Sequence, residues 1–152
     1  MVLVRNAVAS RLEEGITANA FTLPGLAVQT KPIAGKPDTY ENTTPLFVVA
    51  WGSWLTEIAA KAAWTDGHTI YVFVVQKVET AEDDEIAPLV GLVEEAAKYL
   101  RTIDLPDEVG SEELEGGASI TEVEIDPIVD DEFLVFNRIF LGVIAVKIEQ
   151  TV

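Results

Sequence analysis

Apolar positions recur along this chain with two distinct periods. Val4, Val8 and Leu12 repeat every four residues with Ala7 beside them, which predicts a helix over Val2–Glu14 with one apolar stripe. Gly15 follows as a candidate C-cap, because glycine adopts the left-handed conformation without steric cost. Leu26 and Val28 alternate with Ala27 and Gln29, which predicts a short strand over Gly25–Pro32. Leu46–Trp51 is a continuous apolar run opened by Pro45 and fits a buried strand. Thr69–Val78 is rich in β-branched and aromatic residues and predicts another strand. Ile86, Leu89, Val90, Val93, Ala97 and Leu100 form one stripe of a second helix over Glu82–Arg101. Asp83, Asp84 and Glu85 at its start, and Lys98 and Arg101 at its end, suit the helix dipole. Pro88 is expected in or near its first turn, where a missing N–H is tolerated. Ser119–Ile125 alternates with a slip at Thr121, which predicts a strand carrying a bulge. Asn137–Gln150 reads as a long closing strand.

The connections carry turn chemistry. Residues 32–44 hold Pro, Gly, Asp, Asn and Thr with no apolar period, a loop long enough to imply either disorder or an assembly contact. Gly52–Thr65 mixes helix formers with the alternating Trp54, Thr56 and Ile58. The Asp66-Gly67 pair after it favours an extended hairpin arm. Residues 104–118 form an acidic connection without periodicity, and Asp126–Glu132 an acidic turn. Helices and strands do not alternate, so a doubly wound parallel sheet is not expected. The order predicts a single α+β domain over residues 1–152. It has a mostly antiparallel sheet with two helices packed on one face. The strongly apolar strands imply that the opposite face is also partly covered, for which a neighbouring subunit is one candidate.

Composition narrows the chemistry. The chain has 152 residues, no cysteine and one histidine. Disulfides, thiolate metal sites and cysteine nucleophiles are excluded, as is any site needing two histidines. His68 follows Asp66-Gly67 and reads as a turn residue. Gly35-Lys36 is followed by Pro37 rather than a helix, so it is no phosphate loop. No GxSxG accompanies a base. Asp83-Asp84-Glu85 and Asp130-Asp131-Glu132 lack the spacing of a calcium loop. No catalytic residue, metal ligand or cofactor is expected. No apolar run approaches the roughly 18 residues of a membrane span. The charged N-terminal residues leave no uninterrupted signal-peptide core.

The formal net charge is −16. Residues Glu79–Glu132 hold 19 of the 26 acids against Lys98 and Arg101 alone. The remainder has seven acids and eight bases. Phosphate binding to nucleic acid and docking on anionic membranes are both disfavoured. The acidic stretch reads as a solvated face, or as a surface that repels something negative or meets a basic partner. Tryptophan is enriched at interface centres, so Trp54 and Trp64 are interface candidates, with Lys36 and Tyr40 in the loop.

The element order resembles a known family. VLVRNAVASRLEEGI precedes a proline-rich loop and PLFVVAWGS. TIYVFVVQKV then leads into DDEIAPLVGLVEEAAKYL, and the chain closes with FNRIFLGVIAVKIEQTV. This pattern resembles the tail-terminator and neck (tail-completion) proteins of long-tailed bacteriophages. The resemblance implies a small non-enzymatic α+β subunit that forms a ring, usually a hexamer. Such a ring caps the tail tube, contacts the tail tube protein and a head completion or connector protein, and lets DNA pass without specific binding. It implies a place in the virion tail or neck after assembly in the host cytoplasm. Glu112, Glu113, Glu115, Asp130 and Asp131 are then candidates for an acidic lumen. Two other classes compete: an acidic metal- or small-molecule-binding enzyme domain, and a DNA-charge mimic that binds a basic partner.

Overall fold

The computed structural model describes residues 2–33, 40–51, 67–106, 108–110, 112–113 and 118–150. Helix α1 spans Val2–Thr17. Strands β1 (Ala27–Ile33), β2 (Leu46–Trp51) and β3 (Gly67–Lys77) follow, then helix α2 (Asp83–Thr102). A short ribbon pairs β4 (Glu108–Val109) with β5 (Glu112–Glu113). Strand β6 (Ala118–Ile125) and the long β7 (Ile139–Gln150) complete the chain. The main sheet has the order β1-β2-β3-β7-β6. Its β1–β2 pair is parallel and the other pairs are antiparallel. The fold is therefore α+β, as the element order predicts.

Both helices cover the same face of the sheet. Val4, Ala7, Val8 and Leu12 of α1 pack with Phe47 and Val49 of β2, while Leu89, Leu92, Val93 and Leu100 of α2 join Phe140, Ile144 and Val146 of β7. These side chains alternate along their strands, so the opposite set of each strand forms a second cluster. Val48, Ala50, Tyr71, Phe73, Leu141 and Val143 make up most of it. All six are buried within the single chain. The opposite face is thus covered, as the apolar strands imply.

Three local features differ from the sequence expectations, each for a steric or hydrogen-bonding reason. Gly15 is not a cap but a buried residue within α1. A Cβ there would lie 2.9 Å from the Tyr99 ring and 3.1 Å from Phe21, so glycine lets α1 approach α2 closely. The left-handed position falls instead on Asn19, at φ 57°, a residue that tolerates it better than most. Pro88 sits in the second turn of α2, on its exposed face, where water can solvate the carbonyl that its missing N–H leaves free. Residues 104–118 are not periodicity-free coil throughout: Leu105 is buried and the β4–β5 ribbon turns at Gly110, at φ 66°. The predicted slip in β6 is present, with the register shifting between Ile120 and Glu122.

Glu85 fixes the entry to α2. Its carboxylate accepts the backbone N–H of Glu79 at 2.8 Å and that of Thr80 at 3.1 Å, and the Thr80 hydroxyl at 3.1 Å. Those donors, the Glu79 amide foremost, hold its carboxyl below the ordinary glutamate value. A carboxyl depressed in the folded state contributes stability above its unfolded pKa and loses it as pH falls through the folded value. The expected result is that the Glu79 and Thr80 amide resonances titrate with a midpoint below the ordinary glutamate value. Glu85→Gln should abolish that transition. A midpoint at or above the unperturbed value would contradict the hydrogen-bonded geometry.

Candidate assembly surface

Among the described strands β6 pairs with β7 alone, and the backbone groups of such an edge would invite pairing with another chain if left bare. Three features blunt it. The bulge at Thr121 breaks the register, with the Thr121 hydroxyl donating to the Lys147 carbonyl at 3.2 Å. Glu122 and Glu124 place charge along the strand, and Glu122 pairs with Lys147 Nζ at 3.0 Å. Arg101 reaches over from α2, and its Nε and Nη2 donate to the Val123 carbonyl at 3.3 and 3.1 Å. Edge-to-edge sheet extension is therefore a poor route to assembly through β6.

Arg101 is one of only two bases within Glu79–Glu132, and it spends its guanidinium on a backbone carbonyl. Glu95 accepts the Thr22 backbone N–H at 3.1 Å and its hydroxyl at 2.9 Å, tying α2 to the residues after α1. Among the described residues, the acidic stretch makes one ion pair, Glu122 with Lys147. That pair is solvent-exposed, and such pairs contribute about 0–1 kcal/mol. Among the described residues, Glu85, Glu95 and Asp130 accept hydrogen bonds from backbone amides, and Glu85 and Glu95 also from threonine hydroxyls.

The candidate residues fall in separate places. Tyr40 is half-buried against the second cluster, with Lys31 Nζ 4.5 Å from the centre of its ring. Beside it, Asn42 Nδ2 donates to the Val75 carbonyl at 2.9 Å, and the Asn42 carbonyl accepts the Lys77 N–H at 2.8 Å. Both contacts lie within the chain. Glu112 is exposed on the β4–β5 ribbon, and Glu113 lies in the same strand. Asp130 is half-buried and structural: its Oδ1 accepts the Phe133 N–H at 3.2 Å. Asp131 is exposed beside it. The ribbon precedes β6, whose first residue pairs with Gln150, whereas Asp130 and Asp131 precede Ile139. The two acidic groups thus enter the sheet at opposite ends of β7. Lys36, Trp54, Trp64 and Glu115 lie outside the described residues, as do the hairpin arm 52–65 and residues 34–39 of the loop 32–44.

One feature lay unread in the sequence. After β6, residues 126–130 continue alongside β7: Asp126 N–H donates to Val143, Val143 N–H to Pro127, and Asp130 N–H to Leu141, at 2.9, 2.9 and 2.8 Å. A π-helical turn, Phe133–Asn137, then reverses the chain into β7. Phe133 packs on the second cluster and Leu134 on the first, so adjacent residues grip the sheet from both faces. Arg138 closes the turn at φ 53°, its N–H bonded to the Phe133 carbonyl. A left-handed non-glycine residue costs roughly 1–3 kcal/mol, which the surrounding hydrogen bonds must offset. Val135 and Phe136 point outward and are 59% and 81% exposed. The available signal was four consecutive apolar residues, Phe133–Phe136, standing between an acidic turn and a strand with no place in either.

Among the described residues no group of three or more His, Asp or Glu is placed to hold a metal ion. No described helix is long and apolar enough to cross a membrane. Comparison with family models, curated proteins and solved structures returns no match to this chain.

Proposed function

We propose that this chain is a structural subunit of a phage neck or tail terminus, forming a ring, of six copies in the resemblance, that caps the tail tube and joins it to the head. The observation that carries the reading is the segregation of charge on an α+β fold. An acidic stretch with one ion pair among the described residues sits on a chain whose other residues are close to neutral. Carboxylates without cationic partners repel phosphate, which suits a channel through which DNA must slide without sticking. A closed ring also requires a heterologous contact between two different surfaces of the subunit. The reading needs no catalytic centre, cofactor or membrane contact.

The test is assembly. Purified protein, added to isolated tail tubes that lack their end ring, should form a ring at one end, visible by electron microscopy. It should also be found by mass spectrometry in purified virions of the same phage. The subunit alone in dilute solution is expected to sediment as a monomer, since such rings can form on their target. Failure to add to tubes, together with absence from virions, would overturn the proposal.

A further inference from the structure

The Val135–Phe136 turn combines three properties that seldom occur together by accident. It is apolar and exposed, Phe136 at 81%. It is rigidly mounted, since Phe133 and Leu134 anchor it to opposite faces of the sheet and Asp130 binds both residues through its side chain and backbone. It also lies within a mostly acidic collar. Asp131, Glu132 and Asp130 precede it, and Glu79 follows Val78, whose N–H binds the Arg138 carbonyl at 2.8 Å. Among the described residues adjoining the turn in this way, these four carboxylates stand against two cations, Arg138 and Lys77.

A preformed aromatic knob loses little conformational freedom on docking, which is how hot-spot residues gain affinity. From these observations we infer that the Val135–Phe136 turn is a docking knob for a different protein, one offering an apolar socket with a cationic rim. A symmetric contact with a second copy fits worse. Among the described residues Val135 and Phe136 are the large apolar side chains left exposed, so a symmetric contact would set one knob against another. It would also bring two acidic collars together in a chain of net charge −16. The inference goes beyond the proposed function and does not rest on it.

The experiment uses the full chain and three synthetic helical peptides. One has a leucine face rimmed by lysine, the second replaces the lysines with glutamate, and the third replaces the leucines with serine. Fluorescence anisotropy should show the leucine–lysine peptide binding the native chain at least about tenfold more tightly than either control. Phe136→Ser should weaken that binding by about tenfold or more, and Phe136→Leu should largely retain it. Thermal unfolding of Phe136→Ser should match the native chain, because the ring is exposed. Equal binding by Phe136→Ser would overturn the inference, since the attraction would then be diffuse charge. So would concentration-dependent self-association, by sedimentation, that Phe136→Ser abolishes, since a second copy would then occupy the knob.

Discussion

Phe47→Ala is expected to lower the unfolding free energy by about 3–5 kcal/mol, the range for truncating a fully buried phenylalanine. Phe47 stands on β2 with no exposed surface. Its backbone pairs with Val28 on one side and Val74 on the other. Its ring lies 5.3 Å from that of Phe21, which lies 5.3 Å from Tyr99 in turn. The row of three rings links the sheet, the residues after α1 and helix α2. The neighbours cannot close the gap easily. Tyr99 is held by a 2.6 Å hydrogen bond from its hydroxyl to the Arg11 carbonyl, and Gly15 is already in contact with it. Domains of this size have about 5–15 kcal/mol in hand, so the loss is a large share. Thermal unfolding should shift down by roughly 10 °C. Phe47→Leu, which keeps most of the volume, should cost less than half as much. A loss below about 1 kcal/mol for Phe47→Ala would mean that the site collapses around the deletion.

The elements legible in the sequence were those whose pattern is set by local physics. β2 has the limits its apolar run predicts, Leu46–Trp51, and α2 begins and ends within one residue of its charge-flanked stripe. The bulge at Thr121 showed as a break in alternation. What stayed hidden depends on partners distant in sequence. Gly15 looks like a helix stop until Tyr99, far along the chain, is seen packed against it. The Leu105 anchor and the β4–β5 ribbon carry too few apolar residues to make a period. Phe133–Phe136 defeats both periods, because two of its residues face opposite sides of a sheet and two face water. The acidic stretch was legible as charge, but not as geometry. Arg101 turning to Val123, and Asp130 to Phe133, are choices between backbone and side-chain partners that composition does not encode.

Gly142→Ala should destabilise the chain by about 3 kcal/mol, although alanine suits a strand better than glycine by roughly 0.5–1 kcal/mol. Gly142 lies within β7, opposite Val74. A Cβ placed there would sit 2.5 Å from Val93 Cγ2 and 2.9 Å from the Ile128 carbonyl oxygen. Neither neighbour yields readily. Val93 is fully buried on α2, where a β-branched side chain has one strongly preferred rotamer. Ile128 offers a backbone atom in the segment that Asp126, Pro127 and Asp130 tie to β7. The added methyl must therefore push α2 or that segment off the sheet. Gly142→Val should cost more again, because it adds two further methyl groups in the same gap. The steric origin can be isolated with a second change. Val93→Ala alone removes buried surface and should destabilise, but in the Gly142→Ala background it relieves the clash. Denaturant unfolding of the four proteins should therefore give a double-mutant cycle with a favourable coupling of about 1–2 kcal/mol. Strictly additive losses, or a stabilised Gly142→Ala chain, would contradict the close approach of α2 to β7. Because the segment 126–130 carries the chain into the Phe133–Asn137 turn, the same substitution should also loosen the mounting of Phe136. Its ring resonances should shift in Gly142→Ala, while those of Phe47, on the far side of β3, stay close to their native positions.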